Sequence, residues 1–337
     1  MAVTIRDLAE KLSLSITTVS RALDGYSDVA EETRKRVVQT AREMGYEPNY
    51  AARQLRRKSS DAIGYILPTS SPQFTDPFFV NFLTGLCDES AAIHLDLMVT
   101  ACAPDSDLER SQYRQWVQSK RIDGIVLNRI RTQDWRVEYL LDQQFPFVCL
   151  GNVGKSDRFP SIFVDERKGF ASLVTHLVQN GHHRIAYIGA PPGLMIQQER
   201  FGGYCLGLQQ AGIQANPDWI KEGDLTENSG YHAANQLLEE SPAPTAIMAC
   251  NDLMALGVLQ AAQEKDIQVG SQLAITGFDG IKETEYTTPP ITTLFQPTYE
   301  IARRLTAALG KIINGLPVET LSQVVEPKLI LRASSQT

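Results

Sequence analysis

The chain has 337 residues, 43% hydrophobic and 21% charged, with five cysteines and a net charge of −7. That length suggests two to three domains, and that composition excludes a disordered chain. No apolar run approaches a membrane span, and the amphipathic, acid-bearing start MAVTIRDLAEKL does not read as a secretory signal. The odd, dispersed cysteines (Cys87, Cys102, Cys149, Cys205, Cys250) point to reduced thiols in a cytoplasm rather than to disulfides or a metal knot.

Charge is unevenly placed. Residues 1–60 hold 11 Lys/Arg against 8 Asp/Glu, whereas the remainder holds 21 against 31. A basic end on an acidic body fits a polyanion-binding head. The first predicted helix is capped by Thr4, with Asp7 three residues on, and its apolar face is Ile5, Leu8, Ala9 and Leu12. After Ser13-Leu14, Ser15 caps a second helix, SITTVSRAL, which ends at Asp24-Gly25. A third runs from about Glu31 to Met44, with acids in its first turn and Gly45 just beyond its end. Two short helices joined by a tight turn make a helix-turn-helix, whose second helix enters the DNA major groove. The outward positions there are Ser15, Ile16, Thr17, Ser20 and Arg21. Arg21 suits a guanine edge, and Ile16 suits a thymine methyl. A plain three-helix bundle with a polar surface would share the same periodicity.

The segments TIRDLAEKLSLSITTVSRALDG and EETRKRVVQTAREMGYEPNYAARQL carry more than periodicity. The TVSR core together with Gly-Tyr-x-Pro-Asn-x-x-Ala-Arg-x-Leu resembles the head of the lactose-repressor (LacI/GalR) family of bacterial regulators, and the resemblance extends through nearly all of the chain. It implies a double-stranded operator as partner, a homodimer, and a hinge helix after Pro48 that folds in the DNA minor groove. Within that hinge Asn49 would cap, Ala52 would permit close packing, Leu55 would be the wedge, and Arg53, Arg56 and Arg57 would add phosphate attraction. Thr4 joins the expected DNA contacts. The chain departs from the family pattern at Ser13, where Gly is usual, at Ala30, where a Ser cap is usual, and at Asp24, where Asn is usual.

From Asp61 the rhythm changes. Apolar runs (AIGYILP, LDLMVT, GIVLN, FVCLG, SIFVD, RIAYIG, AIMAC, LAITGFD) alternate with helical stretches, which argues for parallel sheets wrapped by helices. The expected fold is α/β: a helix-turn-helix head (1–47), a hinge and linker (48–60), and two Rossmann-like subdomains (61–337). The resemblance makes those subdomains similar to a periplasmic sugar-binding protein, with three crossovers near 162, 291 and 324. The first subdomain is then about 61–162 and 292–323, the second about 163–291 and 324–337.

Ligands in open α/β sheets bind at strand carboxyl ends. Asp165, Asn251, Asp252 and Asp279 follow apolar runs, and Arg200 is expected to open a helix after GAPPGLMIQQE. Carboxylates and a guanidinium pair well with vicinal hydroxyls, and Phe78 and Phe79 could cover a sugar face. Helix capping is the rival reading for the aspartates. The resemblance implies effector contacts at Arg200, Asn251 and Asp279, and also at Asp165, Phe79 and Leu225. In the family's purine repressor an Arg and a Thr in the loop before the arginine hold the base; here Leu194 and Ile196 stand there, so a sugar is expected over a purine, with a nucleoside or other polar metabolite as the alternative.

No Gly-x-Gly, phosphate loop or Gly-x-Ser-x-Gly elbow occurs. The adjacent His182-His183 seldom face one metal, so no cofactor, metal, enzymatic activity or membrane partner is expected. A transport solute-binding protein is the rival class; the helix-turn-helix argues against it. Together these point to an effector-controlled transcriptional repressor in a bacterial cytoplasm. The ending LILRASSQT offers no further heptad helix, so a dimer is the expected assembly.

Overall fold

The computed structural model describes residues 3–46, 59–69, 76–151, 158–317 and 322–336. The hinge residues Asn49, Ala52, Arg53, Leu55, Arg56 and Arg57 lie outside the described residues. Contacts divide the chain between Ser60 and Asp61 into a small head and a large body.

The head comprises α1 (Ile5–Leu12), α2 (Ile16–Leu23) and α3 (Glu31–Met44). The Thr4 capping box forms, with the Thr4 N–H donating to Asp7 at 2.8 Å. Leu8, Leu12, Val19, Ala22, Val37 and Ala41 form the core of the bundle. Both departures at the helix ends have a local cost. Ser13 sits in the left-handed region (φ 53°), where a Cβ is disfavoured, and Ala30 begins α3 without a side-chain cap. Ser13→Gly and Ala30→Ser should each stabilise the head by about 1 kcal/mol. Hydrogen exchange in α1 to α3 that slows in both variants is the expected reading; unchanged or faster exchange contradicts it.

The body holds two six-stranded sheets. The first contains β1 (Ala62–Pro68), β2 (Asp96–Cys102), β3 (Gly124–Leu127), β4 (Phe147–Leu150), β5 (Ser161–Val164) and β11 (Ser322–Val325), in the order β11-β5-β4-β3-β1-β2, all parallel. The second contains β6 (Ile185–Gly189), β7 (Ile220–Glu222), β8 (Ala246–Ala249), β9 (Ala274–Asp279), β10 (Thr292–Phe295) and β12 (Lys328–Ile330), in the order β12-β10-β9-β8-β6-β7. Only β12 of these runs antiparallel, against β10. Central strands such as β1 and β8 are buried along their whole length, as parallel strands covered on both faces must be.

The first sheet is wrapped by α4 (Pro77–Ala92), α5 (Asp107–Ser119), α6 (Trp135–Asp142) and, late in the chain, α11 (Thr298–Ile313). The second is wrapped by α7 (Glu166–Gln179), α8 (Met195–Gln210), α9 (Glu227–Glu239) and α10 (Asp252–Glu264). Close helix pairs meet at glycines. A Cβ on Gly85 of α4 would strike the Tyr299 carbonyl of α11, and one on Gly257 of α10 would strike the Glu227 carbonyl of α9.

Three crossings join the lobes, each a few residues beyond where the sequence placed it. The positions 162 and 324 fall inside β5 and β11, and residues 292–295 form a strand of the second sheet rather than the start of the return to the first. A strand's ladder hydrogen bonds commit it to one sheet, so the chain changes lobes only after a strand ends. The crossings are therefore at Asp165, at Gln296-Pro297 and at Glu326-Pro327. This places Asp165 and Gln296 on the connections themselves.

Candidate functional site

On the head, the described residues expected to meet DNA are Thr4, which caps α1, and residues on or just before α2. Thr4, Ser15, Ile16, Thr17 and Arg21 are exposed, and Ser20 is half-buried. Ile16 is 44% exposed, an apolar side chain left on the surface of a small bundle. The Ser15 hydroxyl already caps α2, accepting from the Thr18 N–H at 3.0 Å. Arg21 is also engaged: it pairs with Asp28 at 2.7 Å and stands 5.2 Å from the centre of the Tyr26 ring. Both ion-pair partners are about half exposed, and such pairs contribute less than about 1 kcal/mol.

In the body, residues at or just after the carboxyl ends of strands in both sheets line one cavity of about 830 Å³, part of it open to solvent. Arg200 anchors its second-lobe wall. Its Nε and Nη2 donate to Glu166 at 3.0 and 2.6 Å, its Nη1 donates to the Cys250 carbonyl at 2.6 Å, and its plane lies 3.9 Å from the Phe278 ring centre. Arg200 does not open the helix as expected. α8 begins at Met195, so Arg200 sits in its second turn and reaches inward, 4% exposed. Burial alone would depress the guanidinium; Glu166, Cys250 and Asp279 more than offset that and hold it above its ordinary value.

Asp279 ends β9 with φ 119° and accepts from the Gln296 side-chain amide at 2.7 Å. Burial pushes its carboxyl well above the usual range, and Arg200 opposes that shift. The first lobe supplies a matching pair. Arg129, just after β3, donates to Asp76 at 3.3 Å and stacks 4.6 Å from the centre of Phe79. Phe78 lines the cavity, held parallel to Phe82 at 5.9 Å.

Of the expected contacts, Phe78, Asp165, Arg200, Leu225, Asn251 and Asp279 all line this cavity. Phe79 does not. Successive helical residues point about 100° apart, so Phe78 faces the cleft while Phe79 turns into the core, 4% exposed, and supports Arg129 from behind. Asn251 lines the wall with its polar atoms already committed: Oδ1 caps α10 through the Met254 N–H, and Nδ2 donates to the Leu225 carbonyl. It thereby fixes Leu225, whose φ of 71° needs such support. Asp252 is structural. It is fully buried and accepts from the Gly280 and Ile281 N–H groups and the Thr293 hydroxyl, at 2.7, 2.9 and 2.6 Å.

The sequence reading missed Asp76, Arg129, Glu166 and Gln296, all of which line the cavity. Arg129 had a usable signal, since NRI follows directly on the buried strand GIVL. Glu166 and Gln296 had none, because their positions depend on where the chain changes lobes. Among the described residues no cluster of potential metal ligands occurs, and no helix is long and apolar enough to cross a membrane.

A helix-turn-helix head followed by two parallel α/β lobes around a polar cleft defines a ligand-sensing DNA-binding regulator. Comparison with known proteins agrees. Residues 4–49 match the bacterial regulatory proteins of the lacI family, and residues 174–335 match a periplasmic binding protein-like domain. The HTH-type transcriptional repressor CytR of Escherichia coli (strain K12) is 33% identical over 336 residues, covering 99% of this chain and 97% of that protein. The lac repressor dimer bound to operator and the anti-inducer ONPF superposes with a TM-score of 0.85 at 26% identity, covering 100% of both chains. The CelR–cellobiose complex gives 0.76 at 25% identity over 98% of this chain and 99% of that one. The chain belongs to the lactose-repressor family of bacterial regulators. It is a DNA-binding transcriptional regulator controlled by a small-molecule effector.

Proposed function

We propose that the effector is an uncharged sugar or oligosaccharide, bound between the lobes, and that the protein acts as a homodimeric repressor without enzymatic activity. The observation that carries this reading is the set of carboxylate–guanidinium pairs on the two walls, Asp76–Arg129 on one and Glu166–Arg200 with Asp279 on the other. Carboxylates accept from hydroxyls and guanidinium groups donate to them, so each wall can hold adjacent hydroxyls. Phe78 and Phe163 offer apolar surface for the C–H faces of a ring. Five carboxylates against two arginines among the lining residues disfavour a phosphorylated or otherwise anionic ligand. Ile196, apolar and in the first turn of α8, offers nothing to hydrogen-bond a purine base. The CelR–cellobiose neighbour supports the same class.

The head would bind each half of a near-palindromic operator, since two-fold symmetry in the protein imposes it on the site. Effector closing the cleft would change the spacing of the two hinge segments. The reciprocal coupling is typically about 1–3 kcal/mol. Selection of bound duplexes from a random pool by the full-length protein tests the DNA half of this account. A near-palindrome is the expected product, and Arg21→Ala should flatten base preference at one symmetric pair of positions, a loss of about 1–3 kcal/mol there. Unchanged discrimination at every position removes Arg21 from base reading. Leu55, which lies outside the described residues, would wedge the operator centre.

A further inference from the structure

Among the described residues, the lobes meet through backbone beside the cavity at one place besides the three covalent crossings. The loop after β3, from the first lobe, runs antiparallel to the segment that opens α8, from the second, with Arg131 paired to Leu194. The Met195 N–H donates to the Ile130 carbonyl at 2.9 Å, and the Thr132 N–H donates to the Gly193 carbonyl at 3.0 Å. The Met195 side chain also packs against the hydrophobic cluster of the first lobe that includes Ile130.

The first-lobe half of this contact is braced from beneath. Arg131 donates to both oxygens of Glu109 at 2.9 Å, and its own N–H donates to Asp134 at 3.0 Å. Arg136 binds Asp134 at 2.9 and 2.6 Å and donates to the carbonyls of Asn128 and Arg129. All four charged side chains are buried. A buried ionic network of this kind is weak evidence for stability, but paired charges hold a loop in one conformation, and Arg131 Nη1 adds an ion pair to Asp105 at 3.2 Å. The loop so held carries Arg129, and α8 carries Arg200.

We infer that residues 130–132 and 193–195 form an interlobe clasp that limits opening of the cleft and sets the separation of the Arg129 and Arg200 walls. Its members are positioning residues for effector binding. The inference rests on the cleft being the effector site, but the clasp can be tested with no ligand present. Opening of the lobes must break both backbone bonds. Each bond contributes about a fivefold shift in the open-to-closed ratio.

Met195 allows a clean test because it is the first residue of α8, where its N–H has no helical partner. Proline is tolerated at that position. Leu194 before it is already extended (φ −92°, ψ 138°), as a residue preceding proline must be. Met195→Pro therefore deletes the hydrogen bond and the side-chain packing, whereas Met195→Ala deletes only the packing. Hydrogen exchange at single-amide resolution on the ligand-free full-length protein reads Thr132 as the reporter, with β1 and β6 amides as controls for folding. Protection of Thr132 in the wild type is expected, with exchange about fivefold faster in Met195→Pro than in Met195→Ala. Equal exchange in the two variants, or an unprotected Thr132 in the wild type, overturns the clasp. If the control amides show that Met195→Pro is unfolded, wild-type protection at Thr132 and Met195 decides alone. A wild-type clasp with no sugar bound in any assay would leave this inference standing and reject the effector assignment, so the two failures are distinguishable.

Discussion

Arg200→Ala is expected to abolish the effector response while leaving operator binding intact. The guanidinium is the polar hub of the second-lobe wall, tied to Glu166 and the Cys250 carbonyl and stacked on Phe278. Its loss removes a donor set from the ligand and also leaves Glu166 buried without its partner. Breaking one side of a buried pair costs about 3–5 kcal/mol, which for a body of this size lowers the melting temperature by roughly 10 °C. A stability loss alone could mimic a loss of response, so a second variant separates them. Arg200→Met with Glu166→Gln replaces the pair with neutral groups of similar volume and should recover most of the stability without the response. Recovery of both would show that the pair supports the fold and does not contact the effector. Retention of the response in Arg200→Ala would remove the residue from the site.

Asp252→Ala should be similarly destabilising for a different reason. Its carboxylate satisfies the Gly280 and Ile281 N–H groups and the Thr293 hydroxyl inside the second lobe. Alanine would orphan three buried donors at about 1–3 kcal/mol each, and would loosen the turn that follows Asp279. Asp252→Asn is the informative comparison, because an amide can accept from the two N–H groups through its oxygen and donate to the Thr293 hydroxyl. Burial pushes the Asp252 carboxyl up to about 6, above its ordinary 3.8. A raised carboxyl contributes stability that is complete below about pH 4 and is lost as pH rises through about 6. Glu166 and Asp279 are shifted in the same direction by burial. The expected result is therefore a shallower decline in stability between pH 4 and 7 in Asp252→Asn, not a flat profile. Chemical denaturation across that range checks it; an unchanged slope means that Asp252 does not titrate there.

How legible these sites were depended on the range of the interactions that build them. The three head helices were readable because their signals are local: Thr4 with Asp7, Ser15 before its helix, Gly45 after the third. The alternating sheets were equally readable from their apolar runs. The crossings were not, because only long-range pairing shows that residues 292–295 join the second sheet and 322–325 the first. Asp252 and Asp279 both follow strands of the second sheet, and nothing local separates a brace from a cavity residue. Phe78 and Phe79 differ by one helical step, which the sequence cannot phase without knowing where α4 starts. Arg129 had the local signal of the run GIVL before it, but its partner Asp76 is 53 residues away and the brace of its loop at Glu109 is 22 residues from Arg131, contacts that no short window contains.

The most direct test of the central claim is a thermal-shift measurement of the wild-type protein and Arg200→Ala against one panel of neutral sugars, sugar phosphates, nucleosides and purines. A ligand at about 100 times its dissociation constant stabilises by roughly 2.7 kcal/mol, which is readily resolved. The expected result is a neutral sugar that raises the melting temperature of the wild type and not of Arg200→Ala. A shift produced only by a nucleoside, a purine or a phosphorylated ligand, or a sugar shift of equal size in both proteins, would contradict a sugar-binding cleft built on Arg200.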